Sequence, residues 1–231
     1  MKILEKIVKI KNNQSKVFDA GKKDEHDAFF EIYQRKGATD SYTYLYAGVM
    51  WTIDNFDMVH SIIATRSDYM FASSQIPIDL ADYLEKKGLV IDTSRATNII
   101  NMFAYSMFSR IGEISTVSAS NLNNICSSCS NLVIIDKVIL KNDGSQIYNG
   151  AFTKCSKLEE IRFEGVIGRN FDIQQSTKLS KASIENIINV LHGTVTGYSV
   201  TFSKTAKEAA FTDEEWASLT ATKSNWTFNL V

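Results

Sequence analysis

One phrase recurs along this chain, and it constrains the fold more than any other feature. Its clearest copy is Ala151-Phe152-Thr153-Lys154-Cys155-Ser156-Lys157-Leu158-Glu159-Glu160-Ile161-Arg162-Phe163. The skeleton is a large apolar residue, then a small residue, then two further apolar residues, each three positions on from the last. Cys126, Cys129, Leu132 and Ile135 stand at the same offsets, as do Ile173, Ser176, Leu179 and Ala182. Two earlier copies are slightly shorter late in the unit: Phe103, Ser106, Phe108, Ile111 and Phe71, Ser74, Ile76, Ile78. The anchors at 71, 103, 126, 152 and 173 are therefore 32, 23, 26 and 21 residues apart.

Each column of the alignment has a physical reading. Phe71, Phe103, Cys126, Phe152 and Ile173 are mostly large and apolar, so they should point inward. Ser74, Ser106, Cys129, Cys155 and Ser176 are all small with a weak polar handle. A tight turn packed on its neighbour needs such a side chain, and its hydroxyl or thiol can bond nearby backbone. The later apolar positions, with Ile161 and Phe163 two apart, predict a short strand with one face inward. A single unit cannot bury its own apolar face, whereas units laid on one another can.

The period lies near that of leucine-rich repeats, about 20–29 residues. The phrase resembles the BspA-like leucine-rich repeat, roughly Ile-x-x-x-Ala-Phe-x-x-Cys-x-x-Leu-x-x-Ile. Ile147, Ala151, Phe152, Cys155, Leu158 and Ile161 fill it completely, and the unit at 122–138 fills it in part, with Cys126 in place of Phe. The resemblance implies an α/β fold, an irregular leucine-rich-repeat solenoid with an N-terminal helix and a C-terminal helix-strand cap. The array is expected over 66–182. Its structural ladder is Phe71, Phe103, Cys126, Cys129, Leu132, Ile135, Phe152, Cys155, Leu158, Ile161, Ile173 and Leu179.

The flanks differ in character. Residues 1–37 predict a helical segment, with Ile3, Leu4, Ile7, Val8 and Lys11 on one stripe and Gly37 as a stop. A helix packed on its own domain is the first expectation, and homo-oligomerisation through it the alternative. Residues 38–65 are rich in aromatics and read as a capping segment. Tyr42, Tyr44 and Trp51 could alternatively form a binding surface, for example by stacking on sugars. Residues 183–231 read as a helix-strand-helix-strand cap. Ser183 to Leu191 predicts a helix, Tyr198–Phe202 a strand, Thr212 and Glu215 a capping box, and Trp226–Val231 a last strand.

Val17-Phe18-Asp19-Ala20-Gly21-Lys22-Lys23, Ala28-Phe29-Phe30-Glu31-Ile32-Tyr33-Gln34, Thr177-Lys178-Leu179-Ser180-Lys181-Ala182-Ser183-Ile184 and Ser203-Lys204-Thr205-Ala206 look like repeat proteins encoded in phage and prophage genomes of gut Firmicutes. Those are generally taken as tail or other virion components. The resemblance implies a non-enzymatic tail or virion-associated protein, structural or receptor-binding. It would be located in the virion or, before assembly, in the bacterial cytoplasm. Its partners would be other virion proteins or a bacterial surface receptor. The alternative is a cell-surface adhesion module, recognising carbohydrate or protein, of a bacterium.

Charge and motifs narrow the chemistry. Lys+Arg 25 against Asp+Glu 26 leaves a net charge of -1, which argues against a strongly basic nucleic-acid binder. No apolar run is long enough for a membrane span. The charged start, Met1-Lys2-Ile3-Leu4-Glu5-Lys6, is unlike a secretory signal. Three Cys, an odd count, argue against a disulfide framework. Cys126 and Cys129 form a CxxC, but a closed zinc site needs four ligands, and His26, His60 and His192 show no paired spacing. The two thiols fall in different columns of the repeat, which predicts structural roles. No metal, cofactor or catalytic residue is expected, since nothing assembles a nucleophile, a base and an oxyanion donor.

Overall fold

The computed structural model describes residues 61–63, 71–74, 78–87, 90–94 and 96–231. The expected N-terminal helix over 1–37 lies outside them. So do Tyr42, Tyr44, Trp51 and nearly all of the expected capping segment 38–65, of which Ser61–Ile63 forms a strand. In chain order the elements are β1 (Ser61–Ile63), α1 (Leu80–Lys87), β2 (Val90–Asp92), β3 (Arg110–Ser115), β4 (Ile134–Ile139) and β5 (Glu160–Glu164). There follow β6 (Phe171–Asp172), α2 (Lys181–Asn189), β7 (Ser199–Phe202), α3 (Lys204–Ala210), α4 (Asp213–Ala221) and β8 (Thr227–Leu230). All strand pairs are parallel, so each strand is followed by a connection that returns the chain to the same end of the sheet.

Left-handed turns make those returns around β3–β5. Asn101, Asn124 and Gly150 precede the anchors Phe103, Cys126 and Phe152 by two residues, and Tyr105, Ser128 and Lys154 follow them by two. All six have φ between 54° and 64°. Gly and Asn tolerate that region best, and a Cβ on Gly150 would lie 2.4 Å from Asn124 Oδ1. Backbone rungs then join one turn to the next. Phe103 N donates to Ile125 O at 2.8 Å, Cys126 N to Ala151 O at 2.9 Å and Ser128 N to Thr153 O at 2.7 Å.

The expected leucine-rich-repeat solenoid is corrected. The strands form three separate small parallel sheets, β1-β2, β3-β4-β5 and β6-β7-β8, among four helices of the described residues. A continuous ladder would need every repeat to supply a strand to its neighbour. At the Ile173 unit the chain turns instead into α2, where Ala182 is exposed on the helix surface. Side chains of that helix occupy the edge of β5. Ser183 Oγ accepts from Ile161 N at 3.0 Å, and Asn186 Oδ1 accepts from Phe163 N at 2.7 Å while its Nδ2 donates to Phe163 O at 3.2 Å. A strand edge so satisfied has nothing left to pair. The C-terminal segment also carries a helix, α3, beyond the expected helix-strand-helix-strand order.

The apolar faces meet in one buried cluster running from Phe71 to Trp226. Phe171 joins its two halves, its ring lying 5.6 Å from Tyr148, 5.9 Å from Phe152 and 5.5 Å from Phe163 between centroids. In the last third, Trp216 packs edge-on against Phe202, Phe211 and Phe228.

Candidate recognition surface

Every residue of the expected repeat ladder, from Phe71 to Leu179, is buried. The small column is bonded to backbone from one unit to the next. Cys129 Sγ donates to Phe103 O at 3.0 Å, Cys155 Sγ to Cys126 O at 2.9 Å and Ser176 Oγ to Cys155 O at 3.1 Å. The three cysteines are free thiols, and burial pushes the Cys126 thiol well above its ordinary range. Among the described residues no three His, Cys, Asp or Glu side chains are grouped to hold a metal ion. Asn142-Asp143-Gly144 is a tight turn whose Asp143 Oδ1 accepts from Ser145 N and Ser145 Oγ.

A connected set of ion pairs lies on the outer face of β3–β5. In β3 and β4 the buried residues are three apart, Ile111 and Ile114, Ile135 and Val138; in β5 they are two apart, Ile161 and Phe163. The ladder shifts register between Ile135 and Val138 to absorb the extra residue. Such a bulge re-aims side chains. Asp136 and Lys137 both fall between the two buried positions of β4, where β5 has Arg162 alone.

These charges are knitted across the strands. Arg110 grips Asp136 in a fork, Nε to Oδ1 at 2.7 Å and Nη2 to Oδ2 at 2.9 Å, and its Nη1 reaches Asp79 at 3.6 Å. Lys137 stands between Glu113 at 2.8 Å and Glu164 at 3.5 Å, and Arg162 lies 3.6 Å from Glu164. The Glu113 carboxylate beside Lys137 holds its ammonium above the ordinary lysine range. The bidentate fork fixes side-chain geometry as well as charge.

Two clefts flank this face. One, of about 460 Å³, runs between α1 and β3, with Leu80 and Leu84 opposite Ile111 and Ile114. Gly112 lets the helix approach: Ala81 Cβ would be 3.4 Å from a Cβ placed there. The other, of about 620 Å³, lies between β4, β5 and the start of α2, bounded by Ile134, Glu160, Arg162 and Asn186. Asp136 lines both.

This surface was not among the expected sites, although its signal was present in the change of apolar spacing from three to two between β4 and β5. The chain matches no family model, no curated protein and no solved structure. No helix among the described residues is long and apolar enough to cross a membrane.

Proposed function

We propose that this chain is a non-enzymatic recognition protein that binds a partner through the outer face of β3–β5. The observation that carries the reading is the ion-paired face itself, open to solvent between two clefts that share Asp136. Charges held in a fixed pattern select a partner of matching pattern more than they add affinity. The resemblance of the flanks to phage-encoded repeat proteins supports a setting in a phage tail or virion. The partner is then another virion protein or a receptor on the bacterial surface.

Arg162→Glu and Glu160→Lys test it, because both side chains are exposed and neither touches the core. Binding of the purified chain to host cells or to assembled particles should fall in both variants, with the melting temperature unchanged. Wild-type binding should weaken as salt rises. Binding unmoved by either reversal overturns the assignment to this face. If it falls instead on Tyr44→Ala or Trp51→Ala, the aromatic segment is the binding surface. Absence of the labelled chain from assembled particles removes the virion setting.

A further inference from the structure

We infer that the outer edge of β8 is a self-association site, where a second copy of this chain adds its own β8 antiparallel across a two-fold axis. Hydrogen bonding defines the edge. Thr227 N donates to Tyr198 O at 3.1 Å, Val231 N to Phe202 O at 3.2 Å and Lys204 N to Val231 O at 2.9 Å, in a parallel ladder with β7. Thr227, Asn229 and Val231 therefore turn their backbone groups toward β7. Strand alternation turns those of Phe228 and Leu230 to the opposite side, where they have no partner among the described residues.

The other long sheet is finished differently. The β5 edge is satisfied by Ser183 and Asn186; among the described residues nothing comparable covers β8. Edge strands are ordinarily guarded by charges, proline or a bulge. Ser224 to Val231 contains no charged residue and no proline, and β8 pairs with β7 in unbroken register. Leu230, within β8, is one of the exposed large hydrophobics among the described residues, at 37%.

The edge is complementary to itself, which is why a second copy is the occupant. With the axis at Asn229, Phe228 of each chain faces Leu230 of the other as a hydrogen-bonded pair, so N–H and C=O groups are exchanged in both directions. The same register sets the Phe228 and Leu230 side chains opposite each other on one face, an aromatic–aliphatic cross-strand pair. No charge meets its like. A two-fold contact of this kind closes on itself and yields a dimer rather than a fibre. It lies apart from the β3–β5 face, and so leaves two copies of that face for partners.

Asn229 is the probe, since it faces its own copy in the non-hydrogen-bonded position, with Cβ atoms roughly 4.5–5.5 Å apart. Sedimentation of the 231-residue chain should show a monomer–dimer equilibrium that shifts with concentration. Asn229→Cys should give a disulfide-linked dimer on mild oxidation. Ser224→Cys, exposed but remote from the axis, should not. Asn229→Lys should weaken dimerisation roughly fivefold by placing two ammonium groups opposite each other, without lowering the melting temperature. A chain that stays monomeric overturns the inference. So does a dimer that fails to cross-link through Asn229→Cys or ignores Asn229→Lys, because its contact is then elsewhere. A monomer whose β8 instead captures an extended peptide overturns it too.

Discussion

The two three-stranded sheets are built by different means. Around β3–β5 the chain returns through left-handed turns, and all the non-glycine residues of positive φ among the described residues lie at or before Lys154. Small Ser and Cys side chains then hold one turn to the next. Around β6–β8 the returns are helices, each begun by a Ser or Thr that caps it: Ser180, Ser203 and Thr212. The first region concentrates its stability in a few backbone positions with little tolerance. The second spreads it over helix caps and the aromatic cluster about Trp216. Its strands are also less charged, and among the described residues nothing pairs with the outer edge of β8.

Breaking the joint should have the largest effect. Phe171 starts β6 yet packs on Tyr148, Phe152 and Phe163 of the other region, and it is 2% exposed. Phe171→Ala should cost about 3–5 kcal/mol in denaturant titration, the price of an aromatic cavity. Because one buried cluster still runs through both regions, they should still unfold in one transition. Two separated transitions, by fluorescence and far-UV circular dichroism, would show that each region folds without the other.

The next effect contrasts the regions at glycine. Gly165 has φ +99°, and a Cβ there would lie 2.6 Å from Leu140 O, a backbone atom that cannot move aside. Gly197 has φ +80° with nothing within 4 Å. Gly165→Ala should cost roughly 3 kcal/mol, strain plus collision, and Gly197→Ala about 1 kcal/mol, strain alone. Equal losses in thermal melts would mean that the Leu140 carbonyl yields, and that the first region is less brittle than its geometry implies.

Spacing carries burial in this chain, and that much was legible. Phe103, Cys126 and Phe152 each head a copy of the phrase, and each is buried. The small column has a counterpart in the hydrogen bonds, since Cys129 and Cys155 each bond a carbonyl of the preceding unit, Phe103 O and Cys126 O. The breaks between sheets were not legible. Ile173, Ser176 and Leu179 obey the same grammar as the units before them, but Ala182 lies exposed on a helix capped by Ser180, where its counterpart Ile161 is buried in a strand. Local pattern cannot say whether the edge it reaches is already satisfied. The charged face was hidden for a related reason: Arg110 and Asp136 are 26 residues apart, and only strand register brings them together.

Asn186 sits where the two modes of building meet, so its removal measures what stops the first sheet. Asn186→Ala leaves Phe163 N and O without their side-chain partner. Unsatisfied part-buried backbone should cost about 1–3 kcal/mol. Hydrogen exchange should be faster at Phe163 than at Val138, the matching residue of β4, which is flanked by strands on both sides. Unchanged exchange at Phe163 would mean that apolar packing of α2, not this amide, closes the edge.

The smallest effect belongs to the last helix. Thr212 Oγ1 accepts from Glu215 N at 3.2 Å, and Glu215 Oε2 accepts from Thr212 N at 2.8 Å. No residue of α4 is fully buried, so the reciprocal cap has unusual weight in holding its first turn. Thr212→Ala should cost about 1 kcal/mol, expressed as fraying of α4 rather than loss of either sheet. Acid should mimic it. Hydrogen bonds from Lys181 and from the Thr212 backbone hold the Glu215 carboxyl below its usual range. A lowered folded-state value means that this stabilisation is complete above the ordinary glutamate range and is lost as pH falls through the lowered one. In Thr212→Ala the same acid titration should move α4 less, because half of the cap is already gone. An acid response equal to that of the wild type would separate the Lys181 contact from the cap, and leave the first turn of α4 held by its salt bridge and by Trp216 packing.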